Sequence, residues 1–237
     1  MHERALFIFG VKMITKTAEE IFDILKKTII GKPGKIVFTL GEISVTIDTT
    51  DTVGNSIQSW LKQWMINNDF YYAEPVNTQE FPDFFLSEKD KNRHMLEIKA
   101  FNYNATPAFD IANYESYVSS VAEKPYRLFA DYLVFGYSMD AEGTITIKEI
   151  WLKKIWELAG TSKRFPLNTQ VKRDMIYNIR PNSRFKYGQP SFFNTKEEFL
   201  CAIYGTQSLY RGKEKADEWK AKLIHNYSDY FGEKLSF

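Results

Sequence analysis

Asp83, Glu97 and Lys99 are the residues of this chain whose types and spacing could do chemistry together. Two carboxylates and an ammonium form a set suited to hydrolysing a phosphodiester. That reaction needs the phosphate charge neutralised, a water activated and the leaving oxygen stabilised. A magnesium ion held by one or two carboxylates supplies much of this. A lysine beside the acids offsets their charge and can orient the attacking water. The reading assigns catalysis to Asp83, Glu97 and Lys99, and metal binding to Asp83 and Glu97.

These residues can meet only if the local elements bring them together. Met95 to Phe101 reads as a strand, so Glu97 and Lys99 project from one face, about 7 Å apart along it. Ile98 then points the other way, into a core. Asp83 lies on a strand-like stretch from Phe81 to Leu86, and Glu88 to Asn92 is a polar connection. A hairpin through that connection would set Asp83 beside Glu97.

The surrounding pattern supplies a scaffold. Thr17 and Glu20 form a capping box before Ile21, Ile24, Leu25 and Ile29, which recur at helical spacing; Gly31 and Pro33 end that helix. Lys35 to Asp48 reads as strand or hairpin, with Ile43, Val45 and Ile47 alternating with polar residues. A second helix carries Val53, Ile57, Trp60, Leu61, Trp64 and Met65 on one stripe. Phe70 to Ala73 reads as a short strand, and Phe109 to Val121 reads as a helix. Asp131 to Tyr137 is a continuous apolar strand of the kind buried on both faces. Thr144 to Trp156 continues as strand, and Thr195 to Tyr204 and Lys213 to Phe231 close the chain as helices, the last with Trp219 and Leu223 turned inward. This order predicts an α/β fold with a central mixed β-sheet flanked by helices.

With those elements in place, Pro82-Asp83 followed by Glu97-Ile98-Lys99 resembles the signature of the PD-(D/E)xK nuclease superfamily, whose members include the type II restriction endonucleases. The resemblance covers Pro82 to Lys99, and the neighbouring order of elements is similar to that fold. It implies a restriction-endonuclease-like core and a Mg2+-dependent endodeoxyribonuclease that cuts double-stranded DNA at a short specific site. It also implies that Asp83 and Glu97 bind the ion and that Lys99 assists the water. Many members add an acid from the preceding helix, but Val53 to Met65 contains none. Either Asp51, Glu74 or Glu80 supplies an accessory ligand, or Gln58 contacts the ion through water. A structure-specific or repair nuclease, similar to a junction resolvase, and a non-catalytic DNA-binding module are the alternative readings.

A second region carries a different signal. Ser162 to Pro190 holds seven lysines and arginines against Asp174 alone, a local excess of six on a chain of net charge +1. A basic face on an otherwise slightly acidic body fits a directed anionic partner. Arg and Lys suit phosphate and guanine; Asn and Gln suit base edges. Gln170, Lys172, Arg173, Asn178, Arg180, Asn182, Arg184 and Lys186 are the expected DNA contacts, though Arg173 could instead pair with Asp174. Lys153, Lys154, Lys163 and Arg164 extend the positive face. Tyr177, Phe185 and Tyr187 read as core or loop anchors. The expectation is one nuclease domain over residues 1–237, with residues 162–190 as the recognition segment. It is expected to act as a homodimer, because two-fold DNA mirrors a two-fold protein.

Composition excludes several classes. Hydrophobic residues make up 44% of 237, enough for a sizeable core. No apolar run is long enough for a membrane span, and Ala5 to Val11 is too short for a signal peptide. Met13 could be the natural start, with residues 1–12 as a loosely packed extension. One cysteine, Cys201, rules out an internal disulfide framework and fits the cytoplasm. Its apolar neighbours predict a buried thiol. His2, His94 and His225 are too few and too scattered for a zinc site.

Overall fold

The computed structural model describes residues 13–77 and 80–237; the expectations for residues 1–12 fall outside them. The chain divides into two compact units. One comprises residues up to Pro107 together with Asp131–Lys153; the other comprises Ala108–Ala130 and Lys154–Phe237.

The first unit is built on a six-stranded sheet. In chain order its elements are α1 (Ala18–Thr28), β1 (Pro33–Leu40), β2 (Ile43–Ile47), α2 (Val53–Asn67), β3 (Phe84–Phe85) and β4 (Met95–Asn102). After the excursion into the second unit come β6 (Asp131–Met139) and β7 (Thr144–Lys154); β5 (Ala112–Asn113) belongs to that second unit. The strand order is β2-β1-β7-β6-β4-β3. β4 and β6 run parallel, whereas β3 with β4, β1 with β2 and β1 with β7 are antiparallel. The sheet is therefore mixed, as expected.

The helices form for the reasons the sequence shows. Thr17 Oγ1 accepts from the Glu20 backbone, and the Glu20 carboxylate accepts from the Thr17 N–H, closing the capping box. Ile21 and Leu25 of α1, and Val53, Ile57, Leu61 and Met65 of α2, are buried. They share one core with Leu96 and Ile98 of β4 and Leu133, Phe135 and Tyr137 of β6. β6 is buried along seven consecutive residues from Asp131 to Tyr137, as a central strand should be. Trp60 corrects the predicted stripe: it is largely exposed and stacks on Trp64 at its rim.

Phe70 to Ala73 makes only isolated bridges, to Ile14 and Phe85. The strand expected over Phe81 to Leu86 shrinks to Phe84–Phe85. β7 stops at Lys154, because residues Ile155–Leu158 turn into a short helix, α4.

The second unit pairs a small sheet with helices. Besides β5 it contains α3 (Tyr114–Glu123), β8 (Thr169–Lys172), β9 (Met175–Ile179), α5 (Lys196–Arg211) and α6 (Lys213–Phe231). The helix expected from Phe109 starts later, because Asn113 caps it by accepting from the Ser116 N–H. The residues before that cap pair with β9 instead. Trp219 and Leu223 of α6 are buried, and the Trp219 indole donates to the Val118 carbonyl of α3. Cys201 is exposed, not buried. Helical periodicity turns it outward while Phe199, Leu200, Ala202 and Ile203 face inward. Among the described residues no helix is long and apolar enough to cross a membrane.

Candidate active site

The site forms where β3 runs out. Phe84 and Phe85 pair with Leu96 and Met95, and the pairing ends at Phe84. On an antiparallel edge, the next backbone groups facing the same neighbour lie two residues along. Here that residue is Ile98, and the Asp83 side chain takes the place of the missing strand. Asp83 Oδ2 accepts from the Ile98 N–H at 2.7 Å. The backbone edge of β4 therefore fixes the carboxylate close to the plane of the sheet.

From that position Asp83 meets groups from both faces. Glu97 and Lys99 sit on the face opposite Leu96 and Ile98, as strand alternation requires. Glu97 Oε2 accepts from the Asp83 N–H at 3.2 Å, and Glu97 Oε1 accepts from Lys99 Nζ at 2.8 Å. From the helix side, Gln58 of α2 donates its amide to Asp83 Oδ1 at 2.8 Å. All three predicted catalytic residues thus share one corner, with Gln58 in direct contact. Gln58, expected as an accessory group, bonds Asp83 directly.

The electrostatics follow from burial. Glu97 is buried, and Lys99 is mostly covered. Burial disfavours the ionised form of Asp83, and the adjacent Glu97 charge adds to this. Together they raise its carboxyl to about 7, against the opposing Ile98 N–H, Lys99 and Gln58. The corner holds more negative charge than one ammonium balances.

The other accessory candidates take no part in this hydrogen-bond network. Glu74 pairs with Lys62 at 2.5 Å, one helical turn beyond Gln58 on α2. Glu80 is exposed and donates its backbone N–H to Asn77, and Asp51 is exposed in the turn before α2. Among the described residues no group of three or more His, Cys, Asp or Glu side chains could hold a metal.

Within the basic segment, β8 and β9 form an antiparallel pair. β8 and β9 join through Arg173 and Asp174, both at positive φ, as a tight hairpin turn demands. Gln170 and Asn178 face one another across the pair, with the Asn178 amide donating to Gln170 Oε1 at 3.1 Å. Lys172 lies over the Tyr177 ring, and Lys186 over the Tyr187 ring. Arg184 stacks on Phe192 with its guanidinium 3.7 Å from the ring centre. Arg180 pairs with Asp110. Asp174 pairs with Arg164, not with the adjacent Arg173. Phe185 is buried as expected, but Tyr177 and Tyr187 are exposed.

Asn182 requires a correction. It is only 7% exposed. Its amide donates to the carbonyls of Leu158 and Ala159, and its oxygen accepts from the Arg184 N–H. Its hydrogen-bonding groups are spent inside the protein, so it braces the segment.

Comparison with known proteins places this fold among relatives. The family model described as NgoBV restriction endonuclease matches residues 15–237. The type II restriction enzyme NlaIV of Neisseria lactamica is 38% identical over 231 residues, covering 94% of each chain. The type II restriction enzyme NgoBV of Neisseria gonorrhoeae is 40% identical over 166 residues, covering 68% of this chain and 93% of the relative. A solved NlaIV restriction endonuclease structure superposes with a TM-score of 0.88 at 39% identity, covering 96% of this chain and 94% of that one. The class is therefore that of the type II restriction endonucleases, endodeoxyribonucleases that cleave double-stranded DNA at a specific site. The chain belongs to the NgoBV restriction endonuclease family. Enzymes of this class generally need a divalent metal.

Proposed function

We propose that this endonuclease is magnesium-dependent, with Asp83 and Glu97 holding the ion, Lys99 serving the attacking water and Gln58 positioning Asp83. One observation carries the reading: at the end of β3, Glu97 accepts from both the Asp83 backbone N–H and the Lys99 ammonium, while the Asp83 carboxylate is held on the adjacent Ile98 N–H. The donor set fits a hard cation, since it offers carboxylate oxygens and neither thiolate nor imidazole. The raised Asp83 carboxyl marks a corner where added positive charge is favourable. Each carboxylate oxygen that accepts one hydrogen bond keeps capacity for another partner. Asp83 and Glu97 would hold the ion, and magnesium commonly binds through one or two carboxylates with substrate phosphate.

The bound ion supplies charge neutralisation at the scissile phosphate and acidifies the water there. The rest of the work belongs to the chain. Ile98 N–H and Gln58 hold the two Asp83 oxygens in fixed directions. Lys99 gives one N–H to Glu97 and has two more with which to orient the water and stabilise it as hydroxide.

Residues 162–190 serve as the recognition segment of a single nuclease domain spanning residues 1–237. Gln170, Lys172, Arg173, Asn178, Arg180, Arg184 and Lys186 supply its DNA contacts. The enzyme acts in the cytoplasm as a homodimer on a short palindromic site, each copy cutting one strand. Plasmid digestion with magnesium tests the reading: wild type should give discrete bands, and Asp83→Ala and Lys99→Ala should give none while still binding DNA. Cutting retained by either variant would remove that residue from its assigned role.

A further inference from the structure

The hairpin β1–β2 has no partner for most of its length. β1 pairs with β7 only at Pro33, Gly34 and Lys35, and from Ile36 onward it pairs with β2 alone. The hairpin therefore projects beyond the sheet by about 17 Å, five residues of extended chain.

Its two faces differ in chemistry. Cross-strand partners Ile36 and Ile47, Phe38 and Val45, and Leu40 and Ile43 alternate onto one face, which is wholly apolar. The opposite face carries Thr39 and Ser44, hydrogen-bonded to each other, with Val37 and Thr46. On the apolar face Phe38 is 56% exposed, Val45 47%, Leu40 73% and Ile43 72%. Isolated exposed apolar residues need no explanation, but a contiguous amphipathic face does.

At the root of the same hairpin lies an apolar crevice of about 190 Å³. Ile29, Ile57, Trp60, Phe135, Ile145 and Ile147 form much of its wall, and Ile36 lines it too. The crevice and the hairpin face therefore meet at Ile36. Its volume suits one or two aliphatic side chains, comparable to cavities that accept a small apolar ligand.

We propose that this face is the subunit interface, occupied by the same hairpin of a second copy. Two hairpins packed face to face and antiparallel put the Leu40–Ile43 tip of each over the crevice of the other. The arrangement is isologous, because tip meets crevice twice, as a two-fold axis demands. It also uses the one partner certain to carry a matching tip. Each copy offers apolar side-chain surface on the order of 400 Å² on this face. Two such faces with the two crevices they cover reach roughly 1,100 Å², just above the roughly 1,000 Å² that a specific interface must clear. This inference rests on the homodimer reading above and adds the residues that would form it.

Light scattering on the full chain, across concentrations and with and without its cleavable DNA, tests the two claims separately. Leu40→Asp/Ile43→Asp alters only exposed tip positions, and circular dichroism checks that the fold is kept. Wild type should be dimeric, and the variant's dimer dissociation constant should rise about 100-fold or more, because paired charges would be buried in an apolar contact. A wild-type dimer with an equally tight variant dimer overturns the interface and leaves the homodimer standing. A wild type that stays monomeric under every condition overturns both. Unchanged dimerisation with lost DNA affinity makes the hairpin a DNA-contacting arm, also overturning the proposal. In a Cys201→Ser background, Leu40→Cys/Ser56→Cys should oxidise to a species of twice the mass. The tip is too far from its own crevice for an internal bridge, so absence of that species counts against tip-to-crevice packing.

Discussion

The corner around Asp83 and the basic hairpin around β8 and β9 use their charges in opposite ways. At the corner, unlike charges converge, and each side chain is held by another or by backbone. Along residues 162–190, like charges spread out and lean on aromatic rings or distant acids. Hydrolysis requires groups placed to within a fraction of an ångström, so its residues must be mutually fixed. Phosphate binding depends on summed charge over a surface, so its residues can be individually loose. The first region should then fail sharply when one residue is changed, and the second should fade by degrees.

The sharpest break is at the corner. Asp83→Ala or Lys99→Ala should lower single-turnover cleavage by roughly 1,000-fold or more, while gel-shift affinity changes only a few-fold. Comparable losses of binding would mean that the two regions do not divide the work.

pH comes next. Asp83 must lose its proton to hold a cation, and its carboxyl sits at about 7. Magnesium affinity should therefore weaken about tenfold per pH unit below about 7 and level off above it. Calorimetry in buffers of different ionisation enthalpy would show the released proton. Without metal the sign reverses for stability. The folded state holds this proton more tightly than the unfolded chain, so the stabilisation is full below about 4 and is lost as pH rises through about 7. Asp83→Asn should flatten both dependences.

Gln58→Ala leaves the carboxylate in place but removes one of its tethers. A loss of about 10- to 100-fold in activity is expected, as for groups that orient a ligand-bearing side chain. An unchanged rate would show that the Ile98 N–H suffices.

The basic hairpin should respond more gently. Arg173→Ala at the turn should lower DNA affinity a few-fold at moderate salt and reduce the slope of log affinity against log salt by about 1. Asn182→Ala sharpens the contrast within the same segment. It should cost about 1–3 kcal/mol of stability by stranding buried carbonyl groups, read as a lower melting temperature, with affinity of the folded protein unchanged. Lost affinity at full stability would return Asn182 to the DNA contacts.

The strands that carry the chemistry were readable because their patterns are local. Met95 to Phe101 reads as a strand, so the common face of Glu97 and Lys99 follows from the two-residue period of strand side chains. The continuous apolar run at Asp131 to Tyr137 likewise announced a strand covered on both sides. The role of Gln58 was not readable in the same way. It lies on the flank of α2, beside the buried stripe, and only the packing of that helix against β4 brings it to Asp83. Asn182 was misread because its neighbours Arg180, Ser183 and Arg184 are polar and nothing nearby marks burial. The β8–β9 pair gave no readable strand signal, because its two strands are short and mix polar with apolar residues. Cys201 took the character of its apolar neighbours, although helical geometry turned it outward.

The sequence by itself determined the candidate chemistry: two acids and a lysine on a strand-and-turn pattern, and a separate excess of positive charge. Residue type and period suffice for that, since they act over a few residues. Tertiary structure decided which groups touch. It ended β3 at Phe84 so that Asp83 could bond the next N–H of β4, and it brought Gln58 across from α2. It also buried Asn182 and left the apolar face of β1–β2 uncovered. Those outcomes depend on contacts between segments far apart in the chain, whose distances no local pattern encodes.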